Sequence, residues 1–189
     1  MKYVVAISLA VFVNSFCFGQ TLSAEDQIRL AVLSAPEIFQ AEATVYGYDD
    51  SGAFVTLKKG SNEMICLADD PTKEGISVSA YHKDLDAFMA RGRALKMEGK
   101  GFQEIFDIRE DEVKSGALAL PDKSTLYVLT GELDEDRELI KQYLRFVVYI
   151  PFATAESTGL STKPIMPGGP WIMDPGTHRA HIMITPPKS

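Results

Sequence analysis

Apolar and polar positions alternate along this chain in two rhythms, and the switches between them outline the fold. "SAEDQIRLAVLSAPEIF" places Ile28, Leu30, Ala31 and Val32 on a helical period. Ser23 stands where an N-cap would. Glu25 and Asp26 fall in the first turn, where the helix dipole favours acids, and Pro36 ends the helix or starts another short turn. Three β-rich runs follow, 43–48, 53–58 and 63–67, separated by the turn residues of "DDSG" and "KGSN". They predict a meander of three antiparallel strands. "ISVSAYHKDLDAFMARGRALKMEGKG" then passes from a short strand into a helix, with Tyr81, Leu85, Phe88 and Met89 on one apolar stripe. A further helix lies in "KGFQEIFDIREDEVKSGAL": Phe102, Ile105, Phe106, Arg109 and Val113 share a side, and Gly116 is its stop.

Two apolar runs, "TLYVLTGEL" and "RFVVYIPF", read as strands, and "DEDRELIKQY" between them as a short exposed helix or a long hairpin loop. "HIMITPP" is a last strand that its prolines terminate. From 151 to 177, fifteen of twenty-seven residues are Gly, Pro, Ser or Thr. A loop of that length in a compact domain is uncommon without a function. Trp171, the only tryptophan, lies in it with Met166 and Met173, so an ordered loop wrapped over the sheet is expected. With no repeat, linker or low-complexity tract, residues 20–189 form one domain. The expected fold class is α+β: a mainly antiparallel sheet, two or three helices packed on one face, and a long Pro/Gly-rich loop before the C-terminal strand.

The first nineteen residues, "MKYVVAISLAVFVNSFCFG", have the pattern of a secretory signal. Lys2 opens it, an apolar core follows from Tyr3 to Val13, and Cys17 and Gly19 put small residues at −3 and −1 of a cut before Gln20. A membrane span is the rival, but the apolar run is short and has no positive flank after it. A lipid-anchored Cys17 is the other, and Phe16 is too bulky for the usual cleavage site. The protein is therefore expected to be exported, periplasmic or secreted, with no transmembrane segment in the mature chain. About 170 residues then remain, enough to bury roughly 70% of their unfolded surface. The formal charge of −7 becomes −8 once Lys2, the one charged residue of the leader, is gone. Such an acidic chain with no basic block repels nucleic acid, which excludes that partner class. Cys66 is left alone, so no internal disulfide forms, and its place in "NEMICLADD" reads as a strand with the thiol buried.

Candidate chemistry gathers in "PWIMDPGTHRAHIMI", which holds Asp174, His178 and His181. Three residues apart, the two histidines would share a helical face and suit a metal, but "HIMIT" looks like a strand, where that spacing points them to opposite faces. His82 and Asp86, four apart, make an easy pair on a helix. In "YHKD" the His and Lys are adjacent, so the spaced motif of phospholipase D-type enzymes is absent. There is no Gly-x-Ser-x-Gly elbow, His-Glu-x-x-His, phosphate-binding glycine loop or Cys-x-x-Cys. Ser157 and Ser161 have no activating context. Asp69–Asp70 reads as a turn rather than a calcium site, "REDEVK" as a solvated helix face, and Arg91 and Arg93 as charges that offset a helix end or bind an anion.

"ICLADDP", "YHKDLDAFMARGRAL", "RFVVYIPFATAESTGL" and "PGGPWIMDPGTHRAHIMI" resemble segments of a bacterial family of uncharacterised exported proteins. The resemblance covers most of the mature chain. It implies export and a single compact domain, and it brings no activity, cofactor or site residues. The function these observations favour is a ligand-binding or accessory protein of the cell envelope, acting on an unknown small molecule or an envelope protein. Its pocket would lie between the helix from Tyr81 and the loop of Trp171, with His82, Trp171, Asp174 and His178 around the ligand. The alternative is a metal-dependent hydrolase that uses His82, His178 and His181, with a divalent metal as its only cofactor. A third is a structural envelope protein that acts through a partner.

Overall fold

A computed structural model of the protein describes residues 22–187, so the reading of residues 1–19, Cys17 included, lies outside the described residues. The chain is α+β. Eight strands form one sheet in the order β2-β1-β3-β4-β5-β6-β8-β7. They are β1 Thr44–Tyr48, β2 Phe54–Lys58, β3 Met64–Leu67, β4 Ile76–His82, β5 Ser124–Leu133, β6 Leu139–Tyr149, β7 Trp171–Met173 and β8 His181–Ile184. The helices are α1 Ala24–Val32, α2 Glu37–Gln40, α3 Asp86–Met97, α4 Phe102–Lys114 and α5 Ala155–Thr158. Among the described residues no helix is long and apolar enough to cross a membrane.

α1 starts where its cap predicts: the Asp26 amide donates to Ser23 Oγ at 3.1 Å. The three strands after it exist, but they are not a meander. β1 and β2 pair antiparallel, whereas β3 lies on the other side of β1 and runs parallel to it. Gly60 explains how. A Cβ there would stand 2.2 Å from the Glu42 carbonyl oxygen and 2.4 Å from Thr44 N, so only glycine lets the chain cross directly against the start of β1. The crossing is fastened by the Ser61 and Asn62 amides, which both donate to Glu42 O.

Strand alternation sorts the core into two layers. Val45, Met64, Cys66 and Ala80 point to one face, packed with Ala31 and Ala35 of the α1 segment. Leu30 of α1 extends that layer over Ile76, Val78 and Leu129. Ile65, Tyr81, Val147 and Tyr149 point to the other face, beneath Leu85 and Phe88. Two helices, α3 and α4, thus share one face, as expected, and α1 takes the opposite one. Tyr81 belongs to β4 rather than to the helix, although it still packs with Leu85 and Phe88.

"DEDRELIKQY" is neither helix nor long loop. Asp134 Oδ1 accepts from the Asp136 and Glu138 amides at 3.0 and 2.8 Å and closes a tight turn, so 139–143 continues as strand. The 151–177 segment has its own structure. Thr154 caps α5, Gly159 ends it at φ 68°, and Trp171–Met173 become the outermost strand. The segment's two ends are joined where the Phe152 amide donates to Thr177 O and the Gly176 amide to Ala153 O, both at 2.7 Å.

Candidate functional site

The C-terminal histidines lie where 174–181 packs against α4. His178 precedes β8 and is fully buried. Its Nδ1 is 2.8 Å from Glu110 Oε2, and its ring meets those of Phe88 and Phe106 edge-on at 5.5 and 4.7 Å between centroids. Burial pushes the Glu110 carboxyl up, but hydrogen bonds from Lys114 and His178 outweigh it and hold the group below the usual carboxylate range. An ionised oxygen only accepts, so Nδ1 carries the proton and Nε2 presents a lone pair. That Nε2 is buried and has no hydrogen-bond partner among the described residues. Burial also holds the imidazole below its ordinary value, against the pull of Glu110, so it is neutral at pH 7.

His181 opens β8 and is also buried. Its Nδ1 donates to Arg179 O at 2.6 Å, its ring lies 5.5 Å from that of Tyr149, and burial keeps it neutral too. Asp174 sits in a left-handed turn at φ 51° with Arg179 Nε 3.7 Å from its carboxylate.

The other histidine is elsewhere. His82 alternates with Tyr81, so it points to the α1 face, and it lines a shallow depression with Thr125 and Val148. β5 and β6 separate its strand from that of His181, a span of three strand spacings or roughly 14 Å. The structure therefore does not bring His82 to His178 and His181. Among the described residues no three His, Cys, Asp or Glu side chains converge as a metal site would need. The expected His82–Asp86 pair does not form either. His82 ends a strand and pairs with Asp84 at 3.4 Å, while Asp86 accepts from the Tyr81 hydroxyl at 2.8 Å and from Arg93 at 3.2 Å. Arg91 grips Glu112, with Nε and a terminal nitrogen at 3.0 and 2.7 Å. Ser157 and Ser161 accept from nearby amides and shape the loop.

Glu110 is the residue the sequence hides. It lies in "REDEVK", which reads as solvated, yet its side chain is only 14% exposed. The one local signal is its place directly after Arg109, a member of the apolar stripe of α4. Arg109 lies over the Phe88 ring, its guanidinium carbon 4.1 Å from the centroid, and donates to Phe88 O at 3.3 Å. No carboxylate pairs with it among the described residues, and burial pulls its pKa down to about 10.

A carboxylate-oriented imidazole with a bare Nε2 is the arrangement that general bases and metal ligands use. Here it is fully enclosed, and no hydroxyl or thiol among the described residues donates to it. Cys66 is sealed on the α1 face, where burial pushes its thiol up to about 12 and leaves it inert.

The orphaned polar atoms have a pattern. Five buried side-chain atoms lack a hydrogen-bond partner among the described residues: Arg109 Nε, Ser124 Oγ, Arg145 Nε, Trp171 Nε1 and His178 Nε2. Ser124 shares the face of Leu126, Arg145 that of Val147, and Trp171 pairs with Met183. All five therefore belong to the α3/α4 side. A cleft of about 470 Å³ lies between the Pro/Gly-rich loop and residues 185–187, and Tyr143, two residues from Arg145 on β6, lines it.

Compared with protein-family models, curated proteins and solved structures, the chain finds no match.

Proposed function

We propose that the protein is an exported ligand-binding protein of the cell envelope, and that its ligand meets the α3/α4 side of the sheet near the Pro/Gly-rich loop. One observation carries this reading: every orphaned buried polar atom among the described residues belongs to that side. An unpaired buried donor or acceptor costs about 1–3 kcal/mol. Folds keep few of them, and each one calls for an explanation such as water, an ion or a bound polar partner. The Glu110–His178 pair serves this reading as a clasp. It ties the end of the loop to α4 and so sets the loop's position on the sheet. Trp171 and His178 keep a place from the expected site, Asp174 shapes the turn between them, and His82 belongs to another surface. No observation favours the metal-dependent hydrolase over this reading.

Export is part of the proposal and rests on the pattern of residues 1–19. N-terminal sequencing of the protein from the periplasm or medium should begin at Gln20. The binding function is tested by a thermal-shift screen of the full chain against small acids, sugars, amines and short peptides. A true ligand raises Tm with concentration as RT ln(1 + [L]/Kd). A chain that no class stabilises at millimolar concentration is not a small-molecule binding protein.

A further inference from the structure

The cleft beside the loop has a composition that narrows the ligand. Pro164, Pro167, Pro186 and Pro187 wall it, and Tyr143 and Thr185 lie on its sheet side. Ile165 and Met166, 77% and 60% exposed, stand at its mouth. The chain carries 26 Asp and Glu residues, yet none lines this cleft. Gly168, at φ 73°, turns the loop back against Pro187, where a Cβ would meet Cδ at 3.3 Å. The wall is therefore shaped by backbone that few other residues could replace.

Two donors adjoin it. Arg145 is two residues from Tyr143 on the same face of β6, its guanidinium carbon 6.0 Å from the Tyr143 ring centroid. Ile184 pairs with Phe146, which sets Thr185 beside Arg145 on the neighbouring strand. Arg145 has no carboxylate within 4.0 Å among the described residues, and its Nε is an orphan. Trp171, three residues past Gly168 on the outermost strand, has on the same face an indole N–H that is buried and without a hydrogen-bond partner among the described residues. A guanidinium and an indole N–H donate and never accept, so what completes them is an acceptor, and a negative one suits the guanidinium best. The proline and methionine walls suit hydrocarbon or an aromatic ring.

We propose that this cleft binds a small molecule that carries a carboxylate on an apolar body, held by Arg145 and Trp171. The proposal rests on the ligand-binding reading above and names its site and ligand class. Local charge makes the choice physical. In an acidic protein, a guanidinium with no carboxylate partner beside an acid-free cleft is a place where an anion is attracted rather than repelled.

Trp171 is the only tryptophan, so intrinsic emission reports on this site alone. The full chain is titrated with 3-phenylpropionate and, separately, with its uncharged amide, by fluorescence and by calorimetry. The expected result is a saturable response to the acid and at least tenfold weaker binding of the amide. Arg145→Gln should lose about tenfold or more in affinity for the acid, and Arg145→Lys should recover part of it. Trp171→Phe, followed by calorimetry, should lose several-fold, which keeps the test independent of whether Arg145→Gln folds. No saturable response to the acid, equal binding of acid and amide, or unchanged affinity in both Arg145→Gln and Trp171→Phe overturns the proposal. A compound that raises Tm but leaves Trp171 emission and Arg145→Gln binding unaffected overturns this site while the binding function stands. A screen in which nothing stabilises the chain overturns both.

Discussion

On the α1 side of the sheet, Gln27 is almost fully buried and satisfied: Nε2 donates to Leu22 O and Tyr48 O at 2.9 Å, and Oε1 accepts from the Tyr48 amide at 2.8 Å. Ser34, equally buried, donates to Ala31 O at 2.7 Å. On the α3/α4 side, His178 is buried as deeply, makes its one ring hydrogen bond to Glu110, and leaves Nε2 bare. The same strands line both layers, so the difference comes from which of their side chains face each layer and from what packs on them. α1 brings a short apolar stripe and one amide whose three bonds close on backbone. Gly47 has no side chain so that this amide can approach, since a Cβ there would stand 2.5 Å from Gln27 Oε1. α3, α4 and the C-terminal loop bring arginines, histidines and a tryptophan, more polar atoms than the protein itself satisfies. Among the described residues, the α1 face leaves no buried side-chain polar atom without a partner, and the α3/α4 face leaves five.

The largest effect that should sharpen this contrast is at Phe88. It is fully buried and touches Tyr149, His178 and Arg109 at once. Phe88→Ala should cost about 3–5 kcal/mol in urea unfolding. It should also change the acid titration of His178 by NMR, because the ring packs against both the imidazole and the Arg109 guanidinium and helps to bury them. Leu30→Ala on the other face should cost a comparable 2–5 kcal/mol and leave that titration unchanged. If both moved it equally, the two layers would not be independent.

A smaller effect separates satisfied from unsatisfied groups. Gln27→Leu strands the Tyr48 amide and two carbonyls, and should cost about 1–3 kcal/mol. Glu110→Ala should cost a similar amount, because it leaves the Nδ1–H of His178 buried without an acceptor. The double change Glu110→Leu with His178→Phe removes both partners and one orphan together, so it should come out near neutral. Its comparison with the single Glu110→Ala, by chemical unfolding, is the sharper test. A double variant as unstable as the single one would mean that the pair itself, rather than its polarity, holds the loop.

Much of this fold is legible in the sequence because its signals are local. Ser23 announces α1, Gly116 ends the α4 segment at φ 78°, and the strand read through "NEMICLADD" buries Cys66. What is not legible depends on contacts far apart in the chain. The crossing of β3 to the far side of β1 turns on Gly60 meeting Glu42–Thr44, and "KGSN" looks the same whether it turns back or crosses. The partner of His178 lies 68 residues away in a helix face that its charges disguise. His82 and Asp86 have helical spacing, yet the strand runs through His82, so periodicity read one residue too early pairs the wrong groups.

The last difference between the faces is in their response to acid. Burial holds both His178 and His181 below the ordinary 6.5, so as pH falls the unfolded chain takes up these protons first. Their contribution is complete above about pH 6.5 and is lost as pH drops from there towards the folded-state values. Glu110, held below 4.5, works in the same direction at lower pH: its unfolded form protonates first, and its stabilisation is lost below that value. Among the described residues the buried polar groups of the α1 layer, Gln27 and Ser34, do not titrate, and burial holds the Cys66 thiol up at about 12. Unfolding free energy measured from pH 7.5 to 5 should therefore fall, and His178→Phe should flatten part of that slope. A slope that His178→Phe leaves unchanged would place the acid sensitivity outside the α3/α4 layer and remove the electrostatic half of the contrast.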